Sequence, residues 1–97
     1  MNAVADALPT LALPEQLTMQ SAAQALGALK RELSSLTGPA LAIDAQRLRV
    51  FDSSAVAVLL ELRRELQADG RSLSLRHPPQ RLSELVSLYG VSELLPT

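Results

Sequence analysis

Residues 40–60, ALAIDAQRLRVFDSSAVAVLL, contain the change of hydrophobic pattern that decides the fold. The continuous apolar run Ala40–Ile43 ends at Asp44 and is typical of a strand that is covered on both faces of a partly parallel sheet. Apolar residues then alternate with arginines over residues 47–50, before a helical pattern begins after Asp52. The stretch therefore predicts a buried strand, a second strand with a solvated arginine side, and a helix.

The helix that follows Asp52 has the strongest periodicity in the chain. The apolar residues that share one of its faces are Ala55, Val58, Leu59, Leu62 and Leu66. Three more apolar residues, Val56, Ala57 and Leu60, make the first half of the helix apolar nearly all round. A core position and a partner interface explain the apolar ring of Ala55, Val56, Ala57 and Leu60 equally well, because a domain of this size has limited interior.

Toward the N-terminus, the pattern predicts another strand and another helix. Residues Thr10–Leu13 alternate polar with apolar, as in a short strand with one wet face, and residues 1–8 are expected to add a weak edge strand. Thr18 is expected to cap a helix whose apolar spacing continues over residues 19–36. The sequence Thr37-Gly38-Pro39 then stops that helix.

Toward the C-terminus, Ala68-Asp69-Gly70 ends the central helix, and residues 72–76 alternate polar with apolar as a further strand. The last helix closes at Gly90, and its apolar face consists of Leu82, Leu85, Val86 and Tyr89. We expect Tyr89 to be a core residue with its hydroxyl at the surface.

The alternation of strands and helices indicates the α/β class. With 97 residues the chain has room for one domain, residues 1–97, and we expect a mixed β-sheet of about four strands covered by three to four helices.

The composition excludes several classes of function. A net charge of -1 provides no basic surface for nucleic acid, and the chain has two aromatic residues, Phe51 and Tyr89, for stacking on bases. The absence of cysteine excludes disulfides and thiol catalysis, and one histidine, His77, leaves little for a metal site. No glycine-rich phosphate loop is present, so we expect neither a cofactor nor a metal.

Residues 1–8 lack the basic and apolar parts of a secretory signal. No segment approaches the roughly 18 to 20 apolar residues of a membrane span. We therefore expect a cytoplasmic protein with no direct membrane insertion.

The junction Asp52-Ser53-Ser54 is the most informative polar site. The first N–H groups of a helix lack partners, so Asp52 or Ser53 has a simple explanation as an N-cap worth about 1 kcal/mol. Alternatively, a serine hydroxyl is displayed where anions are favoured, and it accepts a phosphoryl group or contacts a partner. The adjacent Asp52 would oppose a phosphate.

Residues 44–60 resemble the central motif of STAS domains, in which an aspartate-ending strand is followed by Asp-Ser/Thr-Ser/Gly-Gly at the start of a helix. The resemblance continues through Ala68-Asp69-Gly70 and the ending Leu85–Pro96, so it covers most of the chain. It implies a non-catalytic module that works by protein contact.

Two branches of that family fit. The compact length, the Thr10–Leu13 opening and the ending look more like the small STAS subunit of the Mla phospholipid ABC transporter, which sits on the MlaF-like cytoplasmic ATPase of a membrane complex. The alternative is an anti-sigma-factor antagonist, which is regulated by the serine kinase activity of an anti-sigma factor.

The resemblance implies a role for each residue of the motif. Ser53 matches the hydroxyl residue at the ATPase contact, and Ser54 matches the serine that antagonists offer to a kinase, with Ser53 the second possible phosphoacceptor. Ala55 replaces the usual glycine, and its methyl group would hinder the close backbone approach that a kinase needs. The expected partner-binding residues are Asp52, Ser53, Ser54, Ala55, Val56, Ala57 and Leu60.

A small hydrolase is a third class. Its Ser-His-Asp triad would have to combine Ser53 or Ser54 with His77 and Asp44. We expect the strand order to separate these residues, and no Gly-x-Ser-x-Gly turn is present.

Overall fold

A computed structural model describes residues 8–97. In chain order, the elements are β1 (Thr10–Ala12), β2 (Gln16–Leu17), α1 (Ala22–Ser34), β3 (Ala40–Asp44), β4 (Val50–Phe51), α2 (Ser54–Ala68), β5 (Ser72–Arg76) and α3 (Gln80–Leu88). The predicted α/β class is confirmed, while β2 is an additional element. The edge strand expected over residues 1–8 lies, apart from Leu8, outside the described residues.

The five strands form two parallel sheets. The larger has the order β1-β3-β5, with Ile43 opposite Leu11 on one side and Leu75 on the other, and the smaller pairs β2 with β4. Within residues 8–97 every strand pairing is parallel, where we expected one mixed sheet. Leu41, Ala42 and Ile43 are fully buried, so β3 is covered on both faces as predicted.

The short sheet links the segment before α1 to the segment before α2. The Glu15 carbonyl accepts the N–H groups of Arg49 and Val50 at 2.9 and 3.0 Å, and the Asp52 N–H donates to the Leu17 carbonyl at 3.3 Å. A strand of two residues is too short to show periodicity, which explains why the pattern did not predict β2. These bonds place the start of α2 beside the segment that leads into α1.

The core is built around α2, which contacts α1, α3 and β5. Leu59 and Leu62 of α2 are fully buried, as are Leu11 and Leu41 on the facing strands. The amphipathic pattern of α2 is therefore confirmed, and the aliphatic core is closed by Leu95 near the C-terminus.

The start of α1 differs from the prediction. Thr18 is not the N-cap, because the helix begins at Ala22. Thr18 instead opens a turn, in which its carbonyl accepts the N–H groups of Ser21 and Ala22. The Ser21 hydroxyl accepts the Thr18 N–H at 3.0 Å. Met19 lies in this turn instead of on the helix, and it is 80% exposed.

The predicted burial of Tyr89 is also wrong, since its side chain is 54% exposed. The last helix ends at Leu88, and Tyr89 belongs to the turn in which its N–H bonds the Leu85 carbonyl at 3.0 Å. Gly90 completes the turn with a φ of +70°, a conformation that glycine adopts without steric cost. The chain thus turns away before the ring can join the core.

Candidate functional site

The carboxylate of Asp52 organises the start of α2. Its Oδ1 accepts the Ser54 N–H at 2.8 Å and its Oδ2 accepts the Met19 N–H at 3.0 Å. These two bonds, first that from Met19, lower the pKa of Asp52 below its ordinary value, and the Ser54 hydroxyl adds to the effect. Of the two capping candidates, Asp52 supplies the side-chain bond, because Ser53 makes none.

The two serines of the motif have different surroundings. Ser53 is exposed, whereas Ser54 is half-buried and its backbone N–H is bonded to Asp52. Ser53 is therefore the hydroxyl that a second protein meets first.

The extra apolar residues of α2 divide between core and surface. Ala55 is fully buried and offers no surface to a partner, and Val56 is only 4% exposed. In contrast, Ala57 is exposed and Leu60 is half-buried. Of the two explanations that the pattern left open, the core one holds for Ala55 and Val56, whereas Ala57 faces outward and Leu60 is only partly packed against the core.

A shallow groove of about 330 Å³, called here the α2–α3 groove, runs beside the first two turns of α2. Its lining residues are Ser53, Val56, Ala57, Leu60, Tyr89 and Val91. Four of the predicted interface residues therefore meet in one place. Tyr89 and Val91 were not predicted to join them, although a tyrosine at a helix end, with an apolar ring and a polar tip, suits an interface.

A second groove, the α1–α2 groove, lies on the other side of α2 and has a volume of about 290 Å³. It is lined by Ala22, Ala23, Leu26, Ser54, Ala57, Val58 and Glu61. Ala57 lines both grooves, so it forms the crest between them. Its small side chain leaves the α2 backbone accessible to a close neighbour.

Ion pairs of Lys30 join α1 to α2 at the edge of this groove, where Glu61 is a lining residue. Lys30 Nζ lies 3.5 Å from carboxylate oxygens of both Glu61 and Glu65, and Arg64 lies 3.2 Å from Glu61. Arg64 is the main cause of the lowered pKa of Glu61. Such pairs near the surface add little stability, but those of Lys30 help to hold the two walls of the groove together.

The structure changes one expectation about catalysis. Asp44 and His77 are not separated, because β3 and β5 are neighbours, and His77 Nδ1 lies 3.3 Å from Asp44 Oδ1. Neither Ser53 nor Ser54 bonds to His77 in the structure of residues 8–97, so the three parts of a triad are not assembled.

Residues 8–97 lack both a metal-ligating cluster and a membrane-spanning helix. No cluster of three metal-ligating side chains occurs among them. None of the helices between Leu8 and Thr97 combines the length and the apolar character needed to span a bilayer.

Comparison with known proteins identifies the family. No curated protein matches the chain. The family model described as Mlab, STAS domain matches residues 2–96 of the 97 residues. Members of this family are generally non-catalytic accessory domains. The match covers the strands, the Asp52-Ser53-Ser54 junction and both grooves, and the chain belongs to the MlaB-like STAS domain family.

Proposed function

We propose that the protein is a non-catalytic, cytoplasmic STAS accessory subunit of a phospholipid-transporting ABC complex that maintains outer-membrane lipid asymmetry. It binds the MlaF-like ATPase through the start of α2 and stabilises or regulates it, which places it at the inner membrane through its partner. The observation that carries this proposal is the α2–α3 groove, which brings Ser53, Ala57, Leu60 and Tyr89 together on one accessible surface.

The composition of this surface supports protein contact. Exposed Ala57 and half-buried Leu60 share the groove with the polar Ser53 and with Tyr89, which has an apolar ring and a polar tip. An apolar centre with a polar rim is the usual arrangement of a specific protein interface, and tyrosine is enriched there. The family match, whose description is Mlab, favours an ABC transporter ATPase as the partner.

The protein itself supplies no chemistry in this proposal. The chain has no glycine-rich nucleotide loop, so ATP hydrolysis belongs to the partner subunit. The STAS subunit acts on the ATPase through binding alone, because a protein that binds one state of the ATPase more tightly stabilises that state.

The alternative of an anti-sigma-factor antagonist predicts phosphorylation at Ser54. Two features oppose modification there: Ser54 is half-buried, and the Asp52 carboxylate lies against its N–H group. A phosphate of about -1.5 to -2 charges beside that carboxylate would be repelled. Incubation with an anti-sigma kinase, followed by mass measurement, distinguishes the two functions, because the transporter proposal expects no stoichiometric phosphate.

The proposal is tested by isolating the tagged protein from its native membranes and identifying the bound subunits by mass spectrometry. We expect an ABC ATPase together with membrane subunits. Recovery of an anti-sigma kinase in their place would overturn the transporter assignment.

A charge-insertion variant tests the site. Ser53→Glu places a carboxylate in the α2–α3 groove, and because a buried unpaired charge costs several kcal/mol, we expect affinity for the purified ATPase to fall by more than about tenfold. Ser34→Glu is the matched control, since Ser34 is the exposed last residue of α1 and lies near Asp69, away from the start of α2. Equal affinity of Ser53→Glu and wild type would refute this site.

A further inference from the structure

Asp52 binds two parts of the chain that are far apart in sequence. One carboxylate oxygen accepts the N–H of Ser54 within α2, and the other accepts the N–H of Met19, which is 33 residues away. We propose that Asp52 is a positioning residue that holds Met19 beside the start of α2. The docking surface for the ATPase then includes Met19 and the α1–α2 groove. This inference rests on the proposed function and extends its site.

The hydrogen bonds explain why Asp52 acts through its neighbours. Both of its oxygens already accept backbone N–H groups, so its charge is compensated within the protein. Charge-assisted bonds to backbone N–H groups are stronger than neutral ones. The turn formed by residues 18–21 has hydrogen bonds of its own between Thr18 and Ser21. The N–H of Met19, however, donates to the Asp52 carboxylate outside the turn. Asp52 therefore holds this turn beside the start of α2.

The turn presents the exposed apolar side chain of Met19 to solvent. Met19 is 80% exposed although its side chain is large and apolar, and its backbone is fixed next to Ser54, which lines the α1–α2 groove. A methionine adapts its shape to an apolar partner because its side chain is unbranched and polarizable. Met19 thus presents exposed apolar surface near Ser54, which lines the α1–α2 groove, whereas Tyr89 lines the other groove.

The shape of the surface indicates what fits it. At 100° per residue, Ser53 and Leu60 lie on one side of the Ala57 crest and Ser54 and Glu61 on the other, in agreement with the linings of the two grooves. Small residues on a crest permit close approach of a second helix, whose larger side chains enter the grooves on both sides. The occupant we propose is an amphipathic helix of the ATPase that lies across α2 at Ala57.

The test uses the full chain and the purified ATPase subunit. Met19→Glu leaves the backbone bond to Asp52 intact and puts a charge in the proposed contact, so we expect affinity to fall about tenfold, as for the loss of one well-placed interface contact. Leu88→Glu is the matched control, because Leu88 is 75% exposed but lines neither groove, and its affinity should be that of wild type.

Asp52→Asn tests the positioning role itself. The amide keeps one acceptor oxygen and presents a donor to the other N–H, so we expect about tenfold weaker binding and faster hydrogen exchange at the Met19 amide of the free protein. Weaker binding with unchanged exchange at Met19 would mean that Asp52 touches the partner directly, and it would overturn the positioning role.

The results separate this inference from the proposed function. If Ser53→Glu loses affinity while Met19→Glu binds as wild type, the α2–α3 site stands and the extension to Met19 is refuted. If both variants bind as wild type, the proposed site is refuted, and the extension with it.

Discussion

Replacement of Tyr89 by alanine is expected to weaken binding to the proposed ATPase partner without unfolding the protein. The side chain is 54% exposed in the free protein and lines the α2–α3 groove. A tyrosine presents about 200 Å², so about 100 Å² remains for a partner to cover. At about 25 cal/mol per Å², complete coverage is worth at most about 2.5 kcal/mol.

Only part of this free energy is expressed as affinity, because association also orders side chains and desolvates polar groups. We therefore expect Tyr89→Ala to cost about 1–2 kcal/mol, which corresponds to a Kd about five- to thirtyfold higher. The buried half of the ring also contributes to folding, so unfolding in urea should show a decrease of about 1–2 kcal/mol at most.

Titration calorimetry with the purified ATPase measures the effect, and two variants control it. Tyr89→Phe keeps the ring and should retain most of the affinity. Leu88→Ala truncates a neighbouring side chain that is more exposed, at 75%, but lies outside the groove, and its affinity should not change. An unchanged Kd for Tyr89→Ala, or an equal loss for Leu88→Ala, would refute the assignment of Tyr89 to the interface.

Two predictions concern stability. The Arg71 guanidinium donates to the carbonyls of Gly38 at 2.6 Å and Leu36 at 2.9 Å, so Arg71→Ala should lower the free energy of unfolding by about 1–3 kcal/mol; an unchanged urea midpoint would contradict a stabilising role for these bonds. The pKa of Asp52 is lowered in the folded state, chiefly by the Met19 N–H, so its contribution is present above the unfolded pKa of about 4 and is lost as the pH falls through the folded value. Asp52→Asn should therefore unfold with a weaker pH dependence than wild type below about pH 4, and identical acid transitions would contradict this linkage.

Much of the fold follows from side-chain periodicity. The apolar run Ala40–Ile43 identified a strand buried on both faces, and the spacing from Ala55 to Leu66 identified the central helix, because each pattern repeats over enough residues to define a face. The stop at Gly70 was predictable for a local reason, since its φ of +71° suits glycine.

The candidate site was predicted in part. The motif Asp52-Ser53-Ser54 marks the helix start, and Ser53, Ala57 and Leu60 do line one groove. Periodicity did not separate the apolar residues that enter the core from those that stay outside, as the opposite positions of Ala55 and Ala57 illustrate. That difference depends on which neighbouring elements cover each face of α2.

Local pattern thus established the class of fold, the order of its main elements and the polar junction at Asp52. The pairing of β2 with β4, the bond from Met19 to Asp52 and the exposure of Tyr89 came from tertiary packing alone. The first two join residues that are distant in sequence, and Tyr89 lies in a turn. Neither a distant contact nor a turn leaves a period of 2 or 3.6 residues in the chain. The two grooves on either side of Ala57 exist because α1 and α3 flank α2, which is a property of the assembled fold.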